Sequence, residues 1–155
     1  MKPGLIRQII LVGIIAGLAD ITGATVSYML SGGTNPIVIL KYIASGVYGK
    51  EAFDGGAGMA TLGFLFHMFN AMAFTVFFFL IYSTVRKVTD NAVVLIVFYG
   101  AFVWCVMNLL VVPMSNVSRG PLTFRSSMIQ MGILIICIGI PVVIGTRRFY
   151  SDPAK

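Results

Sequence analysis

Four long apolar runs divide the chain, with short polar segments between them. Leu5–Leu30, Gly58–Tyr82, Ala92–Val112 and Leu122–Ile144 each reach the roughly 20 helical residues that cross a hydrocarbon core of about 30 Å. Their ends carry helix punctuation. Asp90 and Asn91 are placed to cap the third run, and Pro113 follows its end. Gly120-Pro121 precedes the fourth, where a first turn tolerates proline. Gly139 and Pro141 predict a bend near the end of that last helix.

Between the first two runs the pattern changes. Ser31 to Pro36 reads as a turn in which Asn35 caps a helix opened by Pro36. The helix predicted over 36–48 carries Lys41 and Ser45 one turn apart. It rises only about 20 Å, too little to span, so it is expected to lie at the membrane interface or dip part-way in. Asp54 is placed to cap the second span. The fold class is therefore all-α: an integral membrane four-helix bundle, one domain over 1–155, with a short interfacial or re-entrant helix between helices 1 and 2.

Composition agrees. Of 155 residues 58% are hydrophobic and 10% charged, with a mean hydropathy of +0.96; a water-facing domain carries about 25% charged residues. The net charge of +6 would point to nucleic acid in a soluble protein, but the basic residues sit between the apolar runs, so membrane lipid and not nucleic acid is the expected partner. Lys2, Arg7, Arg86, Lys87, Arg147, Arg148 and Lys155 fall on one side and Lys41, Lys50, Arg119 and Arg125 on the other. That imbalance predicts cytoplasmic termini. Lys2, Arg7 and Gly17-Leu18-Ala19 resemble a signal peptide. The apolar pattern continues past them to Leu30, so a retained span is expected. Asn116-Val117-Ser118 matches a glycosylation sequon on the predicted outer side.

Polar side chains inside the spans need a partner or a function. These are Asp20, His67, Asn70, Asn108 and Gln130, with Ser126 and Ser127 nearby. At 1.5 Å per residue, Asp20 and Asn108 lie about 22 and 24 Å from the inner end of their spans, and His67 and Gln130 about 14 and 12 Å from the outer end. The shared outer layer predicts one hydrogen-bonded cluster. Small residues at helical spacing, Gly13, Gly17, Gly23 and Ala24 on the first span and Gly56, Ala60, Gly63 and Ala71 on the second, predict that these two helices pack with Asp20 and His67 near the seam. Phe74, Phe77, Phe78 and Phe79 are expected to meet lipid or a neighbour, Trp104 to pack, and Tyr42 and Tyr48 to suit the interface belt.

Little chemistry is supported. Cys105 and Cys137 lie in apolar runs without a CxxC, and read as small buried hydrophobes. One histidine and two cysteines do not build a zinc site, so no metal or cofactor is expected. No HExxH, GxSxG or phosphate loop is present; Gly55-Gly56-Ala57-Gly58 lacks the lysine such a loop needs. No catalytic residues follow, and enzyme activity is not expected.

Gly17-Leu18-Ala19-Asp20, Asn35-Pro36 with Tyr42-Ile43-Ala44-Ser45-Gly46, Gly49-Lys50-Glu51-Ala52-Phe53 and Phe66-His67 resemble a family of small four-helix bacterial inner-membrane proteins with no assigned function. The resemblance covers almost the whole chain and implies a fold and a location, but no site residues. The pattern differs from four-helix glutathione-dependent membrane enzymes and from small multidrug exporters, which place a glutamate in the first span. The leading expectation is a non-enzymatic assembly or accessory subunit that associates with other membrane subunits or with itself. The alternatives are a small proton-linked transporter or channel using Asp20 and His67, and a lipid-binding protein whose Lys41, Lys50, Arg119 and Arg125 grip an anionic head group.

Overall fold

A computed structural model describes residues 4–118, 120 and 122–151, and every regular element among them is helical. Arg119, Pro121, Lys2 and Lys155 lie outside the described residues. The elements are α1 (Leu5–Leu30), α2 (Ile37–Tyr48), a short 3-10 turn (Gly49–Phe53), α3 (Gly56–Val85), α4 (Ala92–Val111) and α5 (Phe124–Ser151). Four of them, α1, α3, α4 and α5, are long and apolar enough to cross a membrane. Phe69, Leu80 and Phe98 stand 72%, 73% and 72% exposed on these rods, an outward apolar surface that lipid solvates and water does not. The shortest is α4 with 20 residues; α3 has 30.

Local chemistry sets the ends. The side chain of Asn91 accepts from the backbone N–H groups of Val93 and Val94 at 2.9 and 3.2 Å, capping α4. Asp90 does not share that role; its carboxylate accepts from Arg147 at 3.2 Å, tying the end of α5 to the α3–α4 turn. Asn35 Oδ1 accepts from Ile37 N–H at 3.1 Å at the start of α2. At α3 the cap position is Gly55 with no side-chain bond, so Asp54 is not the cap, and the helix exceeds the predicted 58–82 at both ends. The last helix starts at Phe124 instead of Leu122, because Thr123 accepts from the N–H of Ser126 at 3.3 Å. It continues past Ile144 through Arg147 and Arg148 to Ser151: a helix need not stop where hydrocarbon does.

Both α4 and α5 contain a widened π-helical turn, Met107–Val111 and Ile135–Gly139. Each ends two residues ahead of a proline, Pro113 and Pro141. In an ordinary helix a proline ring collides with the carbonyl four residues earlier. Widening the preceding turn moves that carbonyl aside.

Helix α1 packs on α3 and α5, and α4 packs on α5. Across the α4–α5 seam, a Cβ on Gly139 would stand 2.6 Å from the Ile96 carbonyl oxygen, and one on Gly100 would overlap the backbone of Ile135. Helices α3 and α4 keep their backbones apart and meet through rings, Phe77 on Phe102 at 5.6 Å and Phe78 on Tyr99 at 4.4 Å. Phe78 and Phe79 are buried in the core with Tyr82, Tyr99 and Phe149, which makes theirs the neighbour contact of the two expected; Phe77 alone of that group is exposed.

Helix α2 lies against α3. A Cβ on Gly63 would overlap the Leu40 carbonyl oxygen, so only glycine permits this approach. Ser45 is buried at 2% exposure and donates to the Tyr42 carbonyl at 2.6 Å. It therefore faces protein, while Lys41, one turn away, stays half-exposed. Asn116, the sequon residue, clasps the far end of α2, bonding Gly46 O through its backbone (3.0 Å) and Val47 O through its side chain (2.9 Å).

Candidate functional site

The small-residue stripe on α1 lets α3 come close. A Cβ on Gly17 would sit 2.8 Å from the sulfur of Met68 and 3.1 Å from the Cβ of Ala71. With no side chain in the way, the carbonyl of Gly17 is reachable from α3, and His67 reaches it: Nε2 lies 2.8 Å from Gly17 O. A carbonyl only accepts, so Nε2 carries the hydrogen. Asp20, one turn further along α1, places Oδ2 3.9 Å from the same nitrogen, too far for a direct hydrogen bond. The side chains are 12% (His67) and 17% (Asp20) exposed. Beyond them, a Cβ on Gly23 would meet Ile133 Cγ2 at 2.9 Å and Cys137 Sγ at 3.1 Å. The site is thus the point where α1, α3 and the π-helical turn of α5 converge.

Of the polar residues expected in one cluster, Asp20 and His67 are brought together. Asn108 donates to the Trp104 carbonyl on its own helix at 3.1 Å. Asn70 is half-buried on α3, and no hydrogen bond among the described residues links it to the pair. Gln130 is exposed. Equal depth fixes one coordinate of a side chain, and rotation about the helix axis sends these amides in different directions. The single cluster is therefore corrected to a pair.

No protein-family model, no curated protein and no solved structure matches the chain. The site has to be read from its own geometry.

Of the expected head-group contacts, Lys41, Lys50 and Arg125 fall among the described residues. Lys41 Nζ donates to the Phe53 carbonyl at 2.8 Å, bracing the link from α2 to α3. Lys50 and Arg125 are exposed, and Arg119 lies outside the described residues. Among the described residues no three His, Cys, Asp or Glu side chains stand close enough to share a metal ion. Cys105 is exposed rather than buried, and Cys137 is half-buried.

Three features escaped the sequence reading. Cys137 joins the Asp20 end of the α1 seam, its sulfur 3.1 Å from a Cβ built on Gly23, and it sits in the π turn where Gly139 and Pro141 had signalled only a bend. Gly100 and Gly139 form the α4–α5 seam, although neither belongs to a small-residue stripe. Trp104 packs as expected at 8% exposure, yet its indole N–H has no hydrogen-bond partner among the described residues.

Proposed function

We propose that the chain is a non-enzymatic membrane subunit that assembles with other membrane-embedded helices, those of a second copy or of another protein. One observation carries this reading. Gln130 is exposed on α5, about 9 Å along the axis from Phe124, with Met128 and Ile129 exposed beside it at 43% and 45%. Lipid offers a carboxamide no hydrogen-bond partner, whereas a neighbouring helix does. The interior polar groups support the same view. His67 binds a backbone carbonyl across the α1–α3 seam, Asn108 binds its own helix, and an aromatic block of Phe78, Tyr82, Tyr99 and Phe149 fills the core. In this reading the protein is a four-helix bundle of the bacterial inner membrane with α2 at the outer interface. The excess of Lys and Arg on the side of the termini supports their cytoplasmic placement in this reading.

The test is native mass spectrometry of the full chain extracted in mild detergent. A homo- or hetero-oligomer is expected, and Gln130→Leu should weaken it several-fold, the loss of one or two interhelical hydrogen bonds of about 0.6 kcal/mol or more each. A monomer in both proteins refutes the proposal.

A second reading is favoured by the 3.9 Å approach of Asp20 and His67, which sets two titratable groups side by side in the membrane-spanning region: a small proton-linked transporter or channel. Asp20→Asn would then abolish proton-coupled flux in proteoliposomes while leaving the fold intact. Flux that survives the substitution, or is absent from the unaltered protein, eliminates it.

A further inference from the structure

A groove of about 430 Å³ runs along α3, lined by Phe69, Met72, Ala73, Val76, Phe77 and Leu80. All six recur at steps of three and four, so they form one straight stripe down a single helix face. Its walls present no charged or hydrogen-bonding side chain. Phe77 is held in place by stacking on Phe102 of α4 at 5.6 Å.

The same stripe continues past Leu80 to Ser83, Thr84 and Lys87, all exposed. The helical turn persists that far: Arg86 keeps helical dihedrals (φ −64°, ψ −18°) and Lys87 N–H bonds Thr84 O at 3.2 Å. Lys87 therefore stands on the groove's own face, two turns beyond Leu80. Arg86 points elsewhere, its guanidinium 6.0 Å from the centre of the Tyr82 ring. Arg7 and Arg148, exposed at this same end, add to its positive field. Asp90, the acidic group on the adjoining turn, already pairs with Arg147.

We propose that this face holds one anionic glycerophospholipid, an acyl chain lying in the Phe69–Leu80 groove and its phosphate meeting Lys87 with the Ser83 and Thr84 hydroxyls. The match is one of sequence along a single line: hydrocarbon wall, then hydroxyls, then a cation, in the order in which a phospholipid presents chain, glycerol and phosphate. A second protein helix fits this line poorly, because it would bring apolar side chains against Ser83, Thr84 and Lys87. The site is distinct from the Lys41, Lys50 and Arg125 group at the opposite end. It does not depend on whether the chain assembles through Gln130.

Native mass spectrometry of the full chain, titrated with phosphatidylglycerol and with phosphatidylcholine of identical acyl chains, tests the proposal. The unaltered protein should retain phosphatidylglycerol preferentially. Lys87→Gln should weaken phosphatidylglycerol about fivefold and leave phosphatidylcholine unchanged. Ala73→Trp, on an exposed position, should fill the groove and reduce retention of both lipids while circular dichroism stays unchanged. Equal retention of the two lipids by the unaltered protein overturns the proposal. So does phosphatidylglycerol binding that ignores both substitutions, or an Ala73→Trp effect that appears only as loss of a protein dimer.

Discussion

The Nε2 of His67 and the carbonyl oxygen of Gly17 lie 2.8 Å apart, so α3 is fastened to the backbone of α1 and not to one of its side chains. Removing the imidazole should release that fastening. His67→Leu is expected to lower stability by about 0.6–1.7 kcal/mol, the range for a hydrogen bond between membrane helices. Asp20→Asn, which leaves the bond in place, should change stability less. Unfolding in mixed micelles followed by circular dichroism measures both, and a His67→Leu protein as stable as the original contradicts the assignment.

The contact of Gly63 with the Leu40 carbonyl makes α2 the element most sensitive to a single added methyl. Gly63→Ala should force the two helices apart and cost about 1–3 kcal/mol. A cysteine at Ser45, buried when α2 is seated, reports the displacement. It should resist a polar maleimide in the parent and react in the Gly63→Ala background.

Two glycines of α5 offer a matched comparison. A Cβ on Gly132 meets nothing within 4 Å, whereas one on Gly139 stands 2.6 Å from the Ile96 carbonyl oxygen. Gly132→Ala should be neutral or stabilise by up to about 1 kcal/mol through helix propensity. Gly139→Ala should destabilise and loosen the α4–α5 seam. Thermal denaturation in detergent separates the two, and equal midpoints would refute the close approach.

What the sequence made legible follows from the physics of each feature. The spans were readable because the length of a membrane-crossing helix depends on the solvent and hardly at all on its neighbours. The α1–α3 seam was readable because Gly13 and Gly17 repeat at helical spacing. The α4–α5 seam was not, since Gly100 and Gly139 each stand alone in an apolar run. Gly63 belonged to a legible stripe but serves α2, a partner that periodicity does not name. Gln130 was misplaced because its depth was known and its rotation about the axis was not.

The prolines carry the last prediction. If Pro113 and Pro141 cause the widened turns before them, Pro141→Ala should let Ile140 N–H return from the Ile135 carbonyl, its acceptor now, to that of Ile136. The added ordinary hydrogen bond should stabilise α5 by about 0.5–1.5 kcal/mol. It should also rotate Ser151 and its neighbours relative to Phe124. Amide exchange and backbone chemical shifts read the change, and a five-residue turn that survives in the alanine variant points to another cause.

The unequal rods have a mechanical consequence. With 20 residues α4 measures about 30 Å, and with 30 residues α3 about 45 Å, yet both are held to one body through α5. A bilayer whose oil layer suits the first must let the second lean or protrude, and a thicker one would draw Asn91 and Pro113 toward oil. Where the oil layer is thicker than α4, lipid beside that helix has to thin, at a mismatch energy that grows by fractions of a kcal/mol per Å. Membrane thickness thereby becomes a variable that this protein feels, and one by which a cell can sort it.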